Sequence, residues 1–260
     1  PSYDYVRELD GYRFDWVKPF NPYSMIDETL VHTYIETLCQ KLGVVDRYYG
    51  KNYLHVLFSE YGVIVGYPLA RQDTSKLRIR SPGKRPFFRS IASPPTLSRI
   101  LVNLARVREG DTILDPFCGT GSILIEAGFM GIHGIGVDID WELVHGSMKN
   151  IEYYSLWNQI IVLGDTRELV YVDIDGIATD PPYGRAASTH GEDIRVLYRE
   201  FLERAYESVK HGGYIVFMAP LNMEEYIDEV LCNLGLIIRG KHYMYVHGSL
   251  TRIIYEVFKP

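Results

Sequence analysis

Asp111-Thr-Ile-Leu-Asp115-Pro-Phe-Cys-Gly119-Thr-Gly121-Ser122, with the apolar run Ile123 to Met130 behind it, reads as a strand, a glycine turn and a helix in immediate succession. Glycines let a backbone approach a ligand closely, and the N-terminus of the helix that follows faces it, as in sites for nucleotide-type cofactors. The spacing is not Gly-x-Gly-x-x-Gly, and Asp115 sets a negative charge where a pyrophosphate would lie. An acid at that point suits a ligand that carries an ammonium group.

Outward from this turn the pattern repeats. Gly134-Ile-Gly-Val-Asp138 is a second strand ending in an acid, 23 residues after Asp115. That is about the distance at which α/β cofactor folds place a carboxylate for ribose hydroxyls. Ile160-Ile-Val-Leu163 runs into Gly164-Asp165, an acceptor for an adenine amino group, and Ile174-Asp-Gly-Ile-Ala-Thr179 runs into Asp180. One acid is ordinarily a helix cap or a solvated turn residue; four successive strands ending in acids are not explained by capping. An ammonium group, a ribose and an adenine together describe S-adenosylmethionine. The residues expected around it are Asp115, Phe117, Gly119, Thr120, Gly121, Asp138, Ile139, Asp165, Thr166 and Asp180.

Asp180-Pro-Pro-Tyr183 has chemistry of its own. Two prolines remove two amide donors and stiffen the backbone, so a carboxylate, free carbonyls and an aromatic ring are held in one arrangement. That set suits an exocyclic amino group on a flat base: Asp180 and the carbonyl of Pro181 accept its N–H bonds while Tyr183 stacks on the ring.

Asp115-Pro-Phe-Cys-Gly-Thr-Gly121 paired with Asp180-Pro-Pro-Tyr183 resembles the S-adenosylmethionine-dependent amino-methyltransferases. Lys84-Arg-Pro-Phe-Phe-Arg89, the extension to Gly184-Arg185, and Val246-His-Gly-Ser-Leu-Thr-Arg252 look like the archaeal and eukaryotic enzymes that methylate N2 of guanosine ten in tRNA. The likeness covers Arg71 to Pro260. It implies a Rossmann-like sheet closed by an antiparallel hairpin, S-adenosylmethionine as cofactor, tRNA as partner, a cytoplasmic location and, for some members, a small activating subunit. Gly248 departs from the arginine usual in that family. Family members carry a tRNA-binding THUMP domain, itself preceded by a small domain. Seventy residues are too few for both, so Tyr53 to Tyr67 reads as the closing strands of a shortened version. The start at Pro1 fits removal of an initiating Met or a leader that precedes it.

The expected class is α/β, in three regions: residues 1–70, a small α/β module with a helix from Asp27 to Leu42 and strands at Tyr53–Phe58 and Gly62–Tyr67; residues 71–95, a basic connector punctuated by prolines; and residues 96–260, the cofactor-binding domain. Ser93-Pro94 reads as a helix start, and Leu234 to Val246 with Leu250 to Phe258 as an antiparallel pair. Cys39, Cys118 and Cys232 are far apart with no histidine at ligand spacing, so no metal site is expected. No apolar run reaches the roughly 18 residues of a membrane span, and the N-terminus lacks a signal-peptide pattern. Net charge is −6, yet Arg71 to Arg108 holds ten basic residues against Asp73 alone. Such a stripe favours phosphate contacts. Arg78, Arg80, Lys84, Arg85, Arg89, Arg185 and Arg252 are the RNA-binding candidates. Three other readings stay open: N6-methylation of adenine in DNA, which shares Asp-Pro-Pro-Tyr; a silent RNA-binding protein; and a dinucleotide-dependent oxidoreductase, disfavoured by the acid beside the glycine turn.

Overall fold

In the computed structural model the described residues are 12–17, 52–59, 62–66, 73–90, 92–168, 172–183, 193–247 and 250–260, with seven helical positions between 29 and 41. The chain divides into two compact units, Pro1–Asp73 and Thr74–Pro260.

In the first unit β1 (Tyr12–Val17) pairs parallel with β2 (Asn52–Ser59), which pairs antiparallel with β3 (Gly62–Gly66). The sequence reading found β2, β3 and the helix but not β1. Tyr12-Arg-Phe-Asp-Trp-Val17 does alternate aromatic and charged residues, the period-2 signal of a half-buried strand.

The second unit runs α1 (Ser75–Arg78), a 3₁₀ turn at Pro82–Lys84, α2 (Pro95–Leu104), β4 (Thr112–Asp115), α3 (Ser122–Gly128), β5 (His133–Asp138), α4 (Trp141–Tyr153), β6 (Gln159–Leu163), β7 (Ile174–Thr179), α5 (Ile194–Ser208), β8 (Val209–Pro220), α6 (Glu224–Asn233), β9 (Ile237–His247) and β10 (Leu250–Phe258). Its seven strands lie in the order β6-β5-β4-β7-β8-β10-β9. The first five are parallel, and β10 runs antiparallel to both β8 and β9. This is the expected sheet, closed by the expected hairpin.

Its central strands are near-continuous apolar runs because helices cover both faces. Leu114, Ile177, Ile215, Phe217, Ile253 and Tyr255 pack on one face with Tyr198 and Phe201 of α5. Their neighbours Ile113, Ala178, Val216, Met218 and Ile254 pack on the other with Leu101 and Val102 of α2. The change of face at every residue fixes the register, since a one-residue slip would exchange the two sets.

The basic connector differs from its sequence reading. Residues 74–95 belong to the second unit, with Leu77, Arg80 and Arg85 buried. The boundary drawn at 95/96 from proline punctuation lies inside one packed body. Among the described residues no helix is long and apolar enough to cross a membrane.

Candidate active site at the carboxyl edge of the sheet

Four parallel strands deliver Asp115, Asp138, Asp165 and Asp180 to one edge of the sheet, the edge at which open α/β sheets bind ligands. Strand order sets Asp115 between Asp138 and Asp180. Asp115 is 1% exposed; the Thr179 hydroxyl donates to its Oδ1 at 2.7 Å and the Phe117 amide at 3.3 Å. Burial, with smaller contributions from Asp180 and Asp138, pushes its carboxyl up to about 7. Asp138 accepts the Gly119 amide on Oδ2 and the Asp140 amide on Oδ1, both at 2.9 Å. Burial raises it too, held back by those bonds. Among the described residues neither acid has an ion-pair partner.

The glycine turn is shaped for close approach. Gly121 has φ of 78°, the left-handed region, and a Cβ there would lie 2.5 Å from Ser147 Oγ. Thr120 is buried, and its carbonyl accepts from Asn150 Nδ2 at 3.0 Å. The Gly119–Asp138 bond ties the turn to the end of β5. Ile139 beside it is 52% exposed, an apolar face at the rim. Phe117 packs edge-on against Phe201, 5.4 Å between ring centres.

Asp165, the expected acceptor for an adenine amino group, is paired with Arg167. Arg167 Nε donates to both its oxygens, at 2.9 and 3.0 Å, and this pairing holds the carboxyl below its ordinary value. Thr166 is buried next to it.

Asp180 continues from β7 and is largely buried. The Ser93 hydroxyl donates to Oδ2 at 2.9 Å, and Arg252 Nη1 lies 3.8 Å from the same oxygen. The guanidinium of Arg252 sits over the Tyr183 ring, 4.4 Å from its centre. Among the described residues, Oδ1 of Asp180, the Tyr183 hydroxyl and Nε of Arg252 are buried without a hydrogen-bond partner. Burial raises the Asp180 carboxyl, while Arg252 and then Ser93 pull it down.

Of the seven RNA-binding candidates, Arg78, Lys84 and Arg89 are exposed, Arg89 paired with Glu142. Arg80 and Arg85 are corrected. Arg80 donates from Nε and Nη2 to the two oxygens of Glu126, at 2.8 and 2.9 Å, and Glu126 is fully buried in α3. Arg99 closes on the same carboxylate at 2.8 Å. Arg85 donates to Ser122 Oγ at 2.7 Å and to the Arg80 carbonyl at 2.9 Å. These arginines neutralise a buried acid and brace the helix behind the glycine turn, and are not exposed to phosphate. Arg252 lies beside Asp180 and Tyr183. Arg185 and Gly248 lie outside the described residues.

Sequence reasoning missed Glu126, Asn150 and Ser93. Glu126 had a signal, a lone acid in the apolar run Ile123 to Met130. Asn150 exchanges hydrogen bonds with the backbone of Phe87, at 3.0 and 2.8 Å, and nothing local marks it. Ser93 was read as a helix start, but α2 begins at Pro95 with no side-chain cap and the hydroxyl goes to Asp180. Among the described residues no cluster of three or more His, Cys, Asp or Glu could hold a metal ion.

The chain is 47% identical over 176 residues to the tRNA (guanine(10)-N2)-dimethyltransferase of Methanothermobacter thermautotrophicus, covering 66% of this chain and 51% of that protein. It is 36% identical over 211 residues to the protein of the same name in Methanocaldococcus jannaschii, covering 78% and 56%. It thus spans about half the length of the curated relatives it matches. The crystal structure of TrmN from Thermus thermophilus superposes with a TM-score of 0.60 at 20% identity, over 98% of this chain and 74% of that one, a likeness of fold. Residues 82–254, two thirds of the chain, match a family model, and with that match the protein belongs to the UPF0020 family of RMKL-like methyltransferase domains.

Proposed function

We propose that this chain transfers methyl from S-adenosylmethionine to the exocyclic N2 of a guanosine in tRNA, at position ten, giving N2-methylguanosine and, in a second round, N2,N2-dimethylguanosine. One observation carries the reading: Asp180 at the binding edge has a buried oxygen, Oδ1, without a partner among the described residues, beside acids that have no cation among them. The names of the two archaeal relatives supply the acceptor and its position.

The donor set fits the cofactor. Burial disfavours charge on both Asp115 and Asp138, Asp138 adds to the effect on Asp115, and no basic side chain among the described residues relieves them; a ligand bearing positive charge does. In this reading Asp115 holds the ammonium group, Asp138 the ribose hydroxyls, Gly119 to Gly121 leave room for the chain between them, Phe117 and Ile139 supply apolar faces, and Asp165 with Thr166 meets the adenine edge. S-adenosylmethionine supplies a methyl group on a positively charged sulfur that leaves as a neutral thioether.

The protein's own task is to orient the acceptor. Guanine N2 is a poor nucleophile because its lone pair is spread into the ring. Asp180 Oδ1 accepts one N2–H and the Pro181 carbonyl the other, which turns the lone pair out of conjugation. The lone pair forms the bond to carbon, and N2 gives its proton to Asp180. Tyr183 stacks on the base, an interaction worth roughly 1–3 kcal/mol. A stem guanine must leave its stack first, at a cost of a few kcal/mol. Exposed Arg78 and Lys84, together with residues 1–70, offset that cost through tRNA contacts. The protein is read as cytoplasmic, with an activating subunit as a second partner.

Nucleoside mass spectrometry of an unmodified tRNA transcript, incubated with protein and S-adenosylmethionine and with duplex DNA in parallel, tests this. N2-methylguanosine at position ten is expected. Methyl found only on adenine in the DNA would overturn the acceptor assignment.

A further inference from the structure

Oδ1 of Asp180, the Tyr183 hydroxyl and Nε of Arg252 belong to three residues joined through Arg252, and each atom is buried without a partner among the described residues. A buried polar atom left unpaired costs about 1–3 kcal/mol, so three together at a binding edge mark where a polar ligand completes the set. The atoms facing the protein are already engaged. Ser93 holds Oδ2 of Asp180 from the segment before α2, and Arg252 approaches the same oxygen from β10. β10 is separated from β7 by β8, and Arg252 stands opposite Pro220, the last residue of β8, so its long side chain reaches over that strand's end.

We propose that Ser93 and Arg252 are positioning residues for the transfer. They hold Oδ2 of Asp180, and Arg252 covers one face of Tyr183, so that Oδ1 and the opposite ring face are presented to the acceptor base. The assignment rests on the reading of Asp180 as the amine acceptor. It replaces the phosphate role that its basic charge first suggested for Arg252.

The groups facing Asp180 are Ser93 from the connector, Arg252 from β10, the Asp115 carboxylate from β4, and the Tyr198 phenol of α5, whose hydroxyl donates to the Met218 carbonyl at 3.1 Å. Burial disfavours charge on Asp180; Arg252 and Ser93 favour it. Loss of either donor therefore raises the pH at which Asp180 ionises, and the rate falls away at a higher pH.

Single-turnover rates at saturating tRNA and cofactor, measured across pH, test this beside tRNA affinity and its salt dependence. Arg252→Met is expected to slow transfer roughly 10- to 100-fold and to move the acid limb up by about one pH unit, with tRNA affinity and salt slope unchanged. Arg252→Lys should return the acid limb without restoring the full rate, since an ammonium lacks the planar face. Ser93→Ala should shift the limb in the same direction and Ser93→Thr recover it. Weaker tRNA binding with a salt slope about one unit shallower, at an unaltered rate, would make Arg252 a phosphate ligand and overturn the proposal. Should Arg252→Met not fold, Ser93→Ala decides alone: an unmoved acid limb sinks the idea. Asp180→Ala is run alongside. If that variant keeps the wild-type rate, the amine-acceptor reading itself has failed, whatever Ser93 and Arg252 do.

Discussion

At the carboxyl edge of the sheet the β4–β5 half and the β7 half both present aspartate, in different company. Among the described residues Asp115 and Asp138 are held only by a hydroxyl and backbone amides. Asp180 has Arg252, and Glu126, behind the glycine turn, has Arg80 and Arg99. The contrast says which charges the protein balances itself and which it leaves to a ligand. Where a buried acid is held on both oxygens by its own cations, as Glu126 is by Arg80 and Arg99, the pair belongs to the fold. Where it has none, the missing positive charge is a property of what binds.

The sharpest way to break this comparison is at Glu126. Removing one partner of a buried ion pair leaves uncompensated charge, so Glu126→Ala should destabilise the protein by about 3–5 kcal/mol in urea unfolding. A loss under about 1 kcal/mol would mean that Arg80 and Arg99 find other partners and that the pairing is incidental.

Asp115 should behave in the opposite sense. Its carboxyl is raised to about 7 in the folded state, so between an unfolded value near 3.8 and about 7 the folded protein holds more protons than the unfolded one. Stability of the ligand-free protein should fall as pH rises through that window. A cationic ligand favours the ionised form, so below 7 S-adenosylmethionine should bind up to about tenfold more tightly for each unit that the pH rises, and release a proton on binding. Asp115→Asn should raise the melting temperature of the ligand-free protein at alkaline pH and abolish the pH dependence of binding. Calorimetry in two buffers of different ionisation enthalpy measures both. Affinity independent of pH would remove Asp115 from the cofactor's ammonium group.

The smallest expected effect concerns basic residues without an acid. Arg78 and Lys84 are exposed and have no carboxylate partner among the described residues. Changing both to Ala should flatten the log–log salt dependence of tRNA binding by about one to two units and leave cofactor affinity alone. An unchanged slope would assign RNA capture to residues 1–70 or to another subunit.

The sequence was most legible where chemistry is local. Asp115-Pro-Phe-Cys-Gly-Thr-Gly121 and Asp180-Pro-Pro-Tyr183 each declare a strand end, a turn and a charge within a few residues, and period and length gave the parallel sheet and its hairpin. What sequence could not supply was partnership. Arg78 and Arg80 stand two apart in one basic run, yet one is exposed and the other lies on Glu126, 46 positions along the chain. Asp165 reads like the other three acids until Arg167, two residues on, is seen to fold back on it. Net charge along a window reports how many cations there are. Which of them meets solvent depends on contacts that only the folded chain brings together.

The segment from Thr74 to Ser93 is held by residues far along the chain: Arg85 by Ser122, Phe87 by Asn150, Ser93 by Asp180. In kinetic terms each anchor closes a long loop, and none can form before α3, α4 and β7 exist to receive it. The segment is therefore expected to dock only after those three elements have formed. Late docking also makes it a candidate for opening by itself, and amide hydrogen exchange would see it exchange ahead of β4 and β7, so that the grip on Asp180 loosens before the sheet does.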